Sequence, residues 1–241
     1  MKVRLLGVGM GPQHVTVEVA HALRSCDYVV AASKSDNDEL LAIRQAICEE
    51  YGVELVAVPD PMRDRDPGDY PATVAAWHDA RAAAYAEVIG ERGGTAAFLV
   101  WGDPSLYDST IRVVERVAES VGAEWDVLPG VSAPSLLAAR HRIVLHEVGQ
   151  PVHITSARRL DEALANNQIN IVVMLGNEAD LTALVAFAEW SIWWGANLGT
   201  GSEELVSGQV ADVLADLVAA RARARQAAGW VMDVYLVRAP V

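Results

Sequence analysis

The sequence predicts an α/β protein of two domains, and three observations carry that prediction. Short apolar runs, bounded by glycine or proline and too short for helices, alternate with longer helical patterns, as expected of strands joined through helices in a parallel or largely parallel sheet. Two loops, Gly7-Val8-Gly9-Met10-Gly11-Pro12 and Trp101-Gly102-Asp103-Pro104-Ser105-Leu106-Tyr107, each follow such a run directly. Near residue 130, at Pro129-Gly130-Val131-Ser132-Ala133-Pro134, the first alternation closes and a second begins. The chain is therefore divided into an N-terminal α/β domain, 1–130, and a C-terminal α/β domain, 131–241, meeting at a short hinge.

In chain order, residues 3–6 form the first strand, too short and too flanked by glycine for a helix. A helix over 16–23, a strand over 28–30, a helix over 38–51 stopped by Gly52 and a strand over 55–58 follow. Residues 61–71 are turn-rich and charged, and a long helix over 72–89 ends at Gly90, with Gly93-Gly94 leading into a strand over 95–101. Asp108 or Ser109 caps the next helix, which runs to Val121, and a strand over 125–128 completes the domain. The second domain reads as a helix to about residue 139, strands over 152–154 and 169–175, a helix over 178–189 and a strand over 193–198 before Gly199-Thr200-Gly201. An alanine- and arginine-rich helix over 210–228 and a strand over 231–237 close it, and the sequence holds no internal repeat.

Composition narrows the function. With 241 residues, 52% of them hydrophobic, the chain buries a substantial core. Nineteen Lys and Arg against 32 Asp and Glu give a net charge of −13, which speaks against nucleic acid or an acidic membrane surface as partner. No run reaches the roughly 18 apolar residues of a membrane helix, and the first residues read as a strand and not as a signal region, so a soluble cytoplasmic protein is expected. Cys26 and Cys48 have neither metal-ligand nor redox-pair spacing, and no metal is expected.

Glycine lets a backbone approach a ligand closely, and in an open α/β sheet ligands bind beyond the carboxyl ends of the strands, so two such loops could share one crevice. A dinucleotide fingerprint competes with this reading. Here the spacing is G-x-G-x-G-P, the third glycine comes one residue early, and Pro12 lacks the N–H that a pyrophosphate wants. A tight strand-to-helix turn with no ligand stands as the third reading of the first loop.

The first glycine-proline loop, Gly102-Asp103-Pro104, Pro129-Gly130-Val131-Ser132-Ala133 and Leu198-Gly199-Thr200 together resemble the tetrapyrrole methylase family over essentially the whole chain. Longer stretches resemble one branch of it: Arg63-Asp64-Arg65 with Asp69-Tyr70 and residues 74–81, residues 102–110, and Ala139-Arg140-His141-Arg142-Ile143 with Gly149-Gln150-Pro151 and Arg158-Arg159-Leu160. The resemblance implies S-adenosylmethionine as methyl donor, held in a cleft between the two domains. It places Pro12 in the donor pocket, and Trp101, Gly102 and Asp103 on the amino acid and ribose part, with Leu106 against the donor. Ser132 and Ala133, Met174 or Leu175, then Gly199 and Thr200 complete the adenine side. A neutral adenosine needs close backbone approach and no charge, and neither glycine loop holds a lysine.

The reaction implied is methyl transfer to a ring carbon of an anionic tetrapyrrole, a precursor of cobalamin, coupled to loss of an acetyl group as acetate. Transfer needs positioning and no covalent nucleophile, whereas deacetylation needs an activated water and so a general base. Asp108, Tyr107, His14 and His141 lie in or beside the loops, with Asp108 equally a helix cap and His141 equally a locally paired side chain. Arginine forks suit a polycarboxylate, and Arg63, Arg65, Arg81, Arg140, Arg142, Arg158 and Arg159 are the candidates, with Arg63, Arg81, Arg158 and Arg159 foremost. Trp77, Arg81 and Tyr85 share one helical face that either meets the macrocycle or packs in the core.

Three positions depart from the family pattern: a first loop one residue short, Ala157 in place of glycine, and Asn197 in place of an aromatic residue. A methyltransferase with another acceptor and a donor-binding protein without turnover remain as other classes, with a nucleotide oxidoreductase further off. Relatives are usually homodimers, and Trp190, Trp193 and Trp194 are either a dimer face or core.

Overall fold

The computed structural model describes residues 1–33, 39–62, 70–176, 181 and 183–240. They form two compact units, Met1–Val131 and Ser132–Val241.

In the first unit β1 (Lys2–Gly7), β2 (Tyr28–Ser33), β3 (Glu54–Pro59), β4 (Thr95–Val100) and β5 (Glu124–Leu128) make a five-stranded sheet in the order β3-β2-β4-β1-β5, every pairing parallel. A sheet covered on both faces needs strands that are apolar throughout, and β4 is buried from Ala96 to Val100. Leu6, Val29, Ala97 and Leu99 face α1 (Val17–Arg24) and α2 (Glu39–Tyr51), while Leu5, Val30, Phe98 and Val100 face α3 (Tyr70–Arg92) and α4 (Thr110–Val121). The Thr16 side chain caps α1 by accepting from the Val19 amide.

One break in this sheet matters below. β2 pairs with β4 only at Tyr28 with Ala96 and Val29 with Ala97, whereas β2 follows β3 to Ser33 and Pro59, and β4 follows β1 to Val100. The sheet is therefore split between β2 and β4 at its carboxyl end.

The second unit has a mixed sheet, β6 (His153–Ser156), β7 (Asn170–Met174), β8 (Ser191–Ala196), β9 (Glu204–Gln209) and β10 (Asp233–Arg238), in the order β6-β7-β10-β8-β9. Only β6 and β7 run parallel; β10 is antiparallel to both β7 and β8, and β9 to β8. Its helices are α5 (Ala133–His141), α6 (Leu160–Ala165) and α7 (Val210–Ala228). Trp194, fully buried, donates through Nε1 to Asp233 Oδ2 at 3.3 Å, and Arg221 Nε donates to the same oxygen at 2.8 Å.

Several expectations are corrected. The helix expected to end at Gly90 continues to Arg92: glycine in a helix costs only about 1 kcal/mol, and Ile89 anchors this last turn in the core. Positive φ at Gly93 and Gly94 ends it instead. Of the helix expected over 178–189, residues 181 and 183 are α-helical, but Leu184–Phe187 is a 3-10 turn, closed by the Trp190 amide on the Phe187 carbonyl; residues 177–180 and 182 lie outside the described residues. The strand expected to reach Leu198 stops at Ala196 because Asn197 turns left-handed, with φ 48. Strand β9 was not expected, since Leu205-Val206 is its whole apolar content and most of it is exposed. The helix start expected at residue 38 and most of the turn-rich segment 61–71 lie outside the described residues. Of the three tryptophans, Trp194 is core and Trp190 packs on that core. No helix among the described residues is long and apolar enough to cross a membrane.

Truncating Trp194 removes the largest side chain of the second core and one donor to a buried carboxylate. Trp194→Ala is expected to lower stability by about 3–5 kcal/mol or more, read as a shift in the urea midpoint.

Candidate active site

Beyond the carboxyl ends of β1 and β4 the two glycine loops are joined. The Gly9 amide donates to the Gly102 carbonyl at 3.2 Å and the Gly102 amide to the Gly9 carbonyl at 2.7 Å. Both glycines sit at positive φ, 66 and 75. The turn after β5 joins them without room for side chains: a Cβ on Gly7 would lie 2.5 Å from the Gly130 amide nitrogen, and one on Gly130 would lie 2.7 Å from the Gly7 carbonyl carbon and run into the Gly102 carbonyl.

Asp103 clamps this arrangement. Oδ1 accepts from the Ser105 amide at 2.8 Å and from the Ser105 hydroxyl, and Oδ2 accepts from the Gly130 amide at 3.0 Å. Burial pushes the carboxyl pKa up, but the hydrogen bonds from the Ser105 hydroxyl, the Ser105 amide and the Gly130 amide outweigh it and hold the group below the usual carboxylate range. The aspartate expected to touch the donor is thus first a loop staple. The Asp103-Pro104-Ser105 spacing, in which an aspartate bonds two residues on, is the sequence signal for half of it; the Gly130 partner has none.

The other candidates in this unit are placed as follows. Pro12 is exposed at the first position of a 3-10 turn, Pro12–His14. Trp101 is half-buried, and its indole Nε1 is buried with no partner among the described residues. Leu106 is half-buried, its amide on the Asp103 carbonyl at 3.2 Å. Tyr107 is exposed at φ 51. Asp108 Oδ1 accepts from the Thr110 amide at 2.6 Å, so Asp108, and not the Ser109 side chain, caps α4. His14 packs its Cβ against Gly9. A side-chain-free cradle and a buried indole donor suit an uncharged nucleoside more than a phosphate chain.

In the second unit Ser132 caps α5 through the Ser135 amide, and Ala133 begins that helix. Met174 ends β7, buried, and Leu175 follows at φ 59 with 56% of its surface exposed. A large apolar side chain that is both exposed and left-handed is costly, and such strain concentrates at ligand sites. The Gly199 amide donates to Glu203 Oε2 at 2.7 Å, and Arg140 Nε holds both Glu203 oxygens at 2.9 and 3.0 Å. Thr200 returns its amide and hydroxyl to the Asn197 carbonyl.

Asn197, the departure from the family pattern, is buried and fully engaged. Its Oδ1 accepts from the Met232 amide at 2.9 Å, and its Nδ2 donates to the Trp230 carbonyl and Ser202 Oγ. No aromatic side chain could tie these segments together, and neither Asn197 nor Glu203 carries a recognisable motif. His141 Nε2 donates to the Trp194 carbonyl at 3.0 Å; burial lowers its pKa, against the smaller opposing pull of that bond and of Glu203.

Of the arginines, Arg63 and Arg65 lie outside the described residues. Arg81 Nε donates to Asp60 Oδ1 at 2.6 Å and stacks 4.2 Å over Trp77, while Tyr85 on the same face packs in the core against Phe98. Arg158 is exposed, and Arg159 pairs with Glu162 on the surface of α6. The two cysteines take no part; burial pushes both thiols up to about 11.

Residues 2–214 match the family model of the tetrapyrrole (corrin/porphyrin) methylases. The chain is 41% identical over 249 aligned positions, 98% of it and 95% of the relative, to the deacetylating precorrin-6A synthase of Sinorhizobium sp. Among solved structures it superimposes with TM-score 0.84 and 36% identity on CobF of Corynebacterium diphtheriae, described as related to cobalamin synthesis, over 99% of this chain and 98% of that one. A uroporphyrin-III C-methyltransferase of Thermus thermophilus in complex with S-adenosylhomocysteine shares the fold at 17% identity and TM-score 0.64, over 99% of this chain and 92% of that one.

Asp103→Ala strands the Gly130 amide and is expected to cost about 1–3 kcal/mol in denaturant titrations at neutral pH. Because folding lowers this pKa, the stabilisation is fully present above the ordinary value of 3.8 and is lost as pH falls through the folded value, so the two stability curves should converge only in acid.

Proposed function

The chain belongs to the tetrapyrrole methylase family, and on that footing we propose that it is a deacetylating precorrin-6A synthase, converting precorrin-5 to precorrin-6A with release of acetate. The observation that carries the reading is the 41% identity to an enzyme of that name across nearly the full length of both chains. The same reading makes it a cytoplasmic enzyme acting as a homodimer.

S-adenosylmethionine, when bound, supplies a methyl group made electrophilic by the sulfonium. Pro12, Trp101, Gly102, Asp103 and Leu106, and in the second unit Ser132, Ala133, Met174, Leu175, Gly199 and Thr200, would hold it. The protein's part in methyl transfer is positioning, worth as much as ~7–11 kcal/mol for well-oriented reactants. A cradle stapled by Asp103 and a Gly199 loop stapled by Glu203 serve that need.

Acetate release breaks the bond between the macrocycle and the acetyl carbon. Water adds its oxygen to that carbon, the bonding electrons return to the macrocycle, and a base takes the water proton. Of Asp108, Tyr107 and His141, His141 suits this role best. Its Nε2–H is committed to the Trp194 carbonyl, so the lone pair lies on Nδ1, and its lowered pKa keeps the ring neutral near pH 7. Arg63, Arg81, Arg158 and Arg159 serve the substrate carboxylates.

Incubation with enzymatically generated precorrin-5 and S-adenosylmethionine, followed by mass spectrometry, should give methylated product and acetate in equal amounts. Methylation without acetate would move the protein to a sister activity. His141→Gln is expected to slow acetate release by about 10²-fold or more while leaving S-adenosylhomocysteine affinity unchanged. In the wild type, release should fall as pH drops through the His141 pKa, below the ordinary 6.5, and be flat above it.

A further inference from the structure

Helix α5 begins at the donor-site residues Ser132 and Ala133, and its last two residues, Arg140 and His141, reach the strands that carry Gly199 and Thr200. His141 Nε2 donates to the Trp194 carbonyl of β8 at 3.0 Å. Arg140 Nε donates to both oxygens of Glu203, at 2.9 Å to Oε1 and 3.0 Å to Oε2, and Oε2 also accepts from the Gly199 amide at 2.7 Å. Glu203 lies between β8 and β9, so a single carboxylate joins the end of α5 to the turn that holds Gly199 and Thr200.

That turn closes on itself through local bonds: the Thr200 amide and hydroxyl on the Asn197 carbonyl, the Ser202 amide on the Thr200 hydroxyl and the Glu203 amide on the Thr200 carbonyl. Asn197 at φ 48 and Gly199 at φ 79 bend it through left-handed backbone. Beneath it Leu198 packs beside Leu137 of α5, and Gly195 leaves room for both: a Cβ there would lie 2.6 Å from Leu198 Cδ2 and 3.1 Å from Leu137 Cδ1. Local bonds give the turn its shape, and Glu203 sets its direction relative to the helix. The side chains of Arg140 and Glu203 keep 37% and 20% exposure, and an ion pair so exposed adds little to folding stability. Its effect is on geometry. Arg140, shared between the two oxygens, keeps the carboxylate turned toward Gly199, where it makes a short charge-assisted bond to a backbone amide.

We propose that Glu203, held by Arg140, is a positioning residue of the donor site: it locks the Gly199–Thr200 turn to α5, so that the two segments assigned to the adenine side have their spacing set before S-adenosylmethionine arrives. A site prepared in this way avoids the cost of ordering the turn on binding. The proposal rests on the reading that puts Ser132, Ala133, Gly199 and Thr200 at the donor. It separates Arg140 from the arginines considered for the substrate carboxylates, because Arg140 then acts through Glu203.

Calorimetric titration of the whole protein with S-adenosylhomocysteine, and separately with uroporphyrin III as a polycarboxylate probe, tests it. Glu203→Ala should raise the S-adenosylhomocysteine Kd about tenfold or more, as expected for loss of a hydrogen bond to a charged group, and Arg140→Ala about threefold or more. Glu203→Gln, which keeps an oxygen for the Gly199 amide, should fall between wild type and Glu203→Ala. The double variant should bind within about twofold of Glu203→Ala, because the two residues act as one unit. Uroporphyrin III affinity should be the same in Arg140→Ala as in wild type. Smaller losses of S-adenosylhomocysteine affinity in either alanine variant overturn the proposal, as does a double variant whose loss is the product of the two single losses. Weaker uroporphyrin III binding in Arg140→Ala, with S-adenosylhomocysteine binding intact, returns Arg140 to the substrate and also overturns it. If Glu203→Ala does not fold, Arg140→Ala, which leaves the Gly199 amide its acceptor, decides by the same readout. A wild type that does not bind S-adenosylhomocysteine overturns the donor-site reading itself, an outcome distinct from one in which the wild type binds and the variants bind equally well.

Discussion

The first unit is organised by the direct contact of three backbone turns at the ends of β4, β1 and β5. These strands are neighbours in the sheet, so the loops leaving them must share one small space, and Gly7, Gly9, Gly102 and Gly130 let them share it without side chains. The Gly9 and Gly102 bridge sets the distance between two of the loops, and Asp103 adds the third through the Gly130 amide. Peptide dipoles and a carboxylate fixed in this way need little reorganisation when a ligand arrives, the property that positioning catalysis demands.

The same sheet solves a second problem a short way along its edge. Strand β4 follows β1 to its end, and β2 follows β3 to its end, so the pairing of β2 with β4 is the one that gives way. A gap there would leave the carbonyls of β4 unpaired, and Arg44 meets that demand at Leu99.

Much of this was legible from the residues, and the limits have physical causes. The parallel sheet announced itself because strands buried on both faces must be apolar throughout, and the loops because close backbone approach leaves glycine as its trace. Edge strand β9 carries two apolar residues and so no signal, and the stop at Asn197 depends on a side-chain network that reaches Met232 and Trp230. In the site, the glycines and Asp103 were evident, but the partner that makes Asp103 a clamp is an amide 27 residues on. Arg44 was invisible for a similar reason: on a helix it reads as one of many arginines, and only the splaying of a strand it does not belong to gives it a task.

The chain's charge looks at odds with an acidic substrate, since the net charge is −13. The composition of its cations resolves this. Of 19 basic residues two are lysines, Lys2 and Lys34, and the rest are arginines. A strongly hydrated ammonium attracts anions at a distance, whereas a guanidinium acts through a fixed fork at contact. Acidic residues then act less as opponents of binding than as the groups that hold the forks still, as Asp60 holds Arg81. On the proposed polycarboxylate substrate, such a protein would work by matching directions, one prepared guanidinium at a time, with its overall field contributing little. That is consistent with a reaction in which orientation of two large ligands, more than their capture, limits the chemistry.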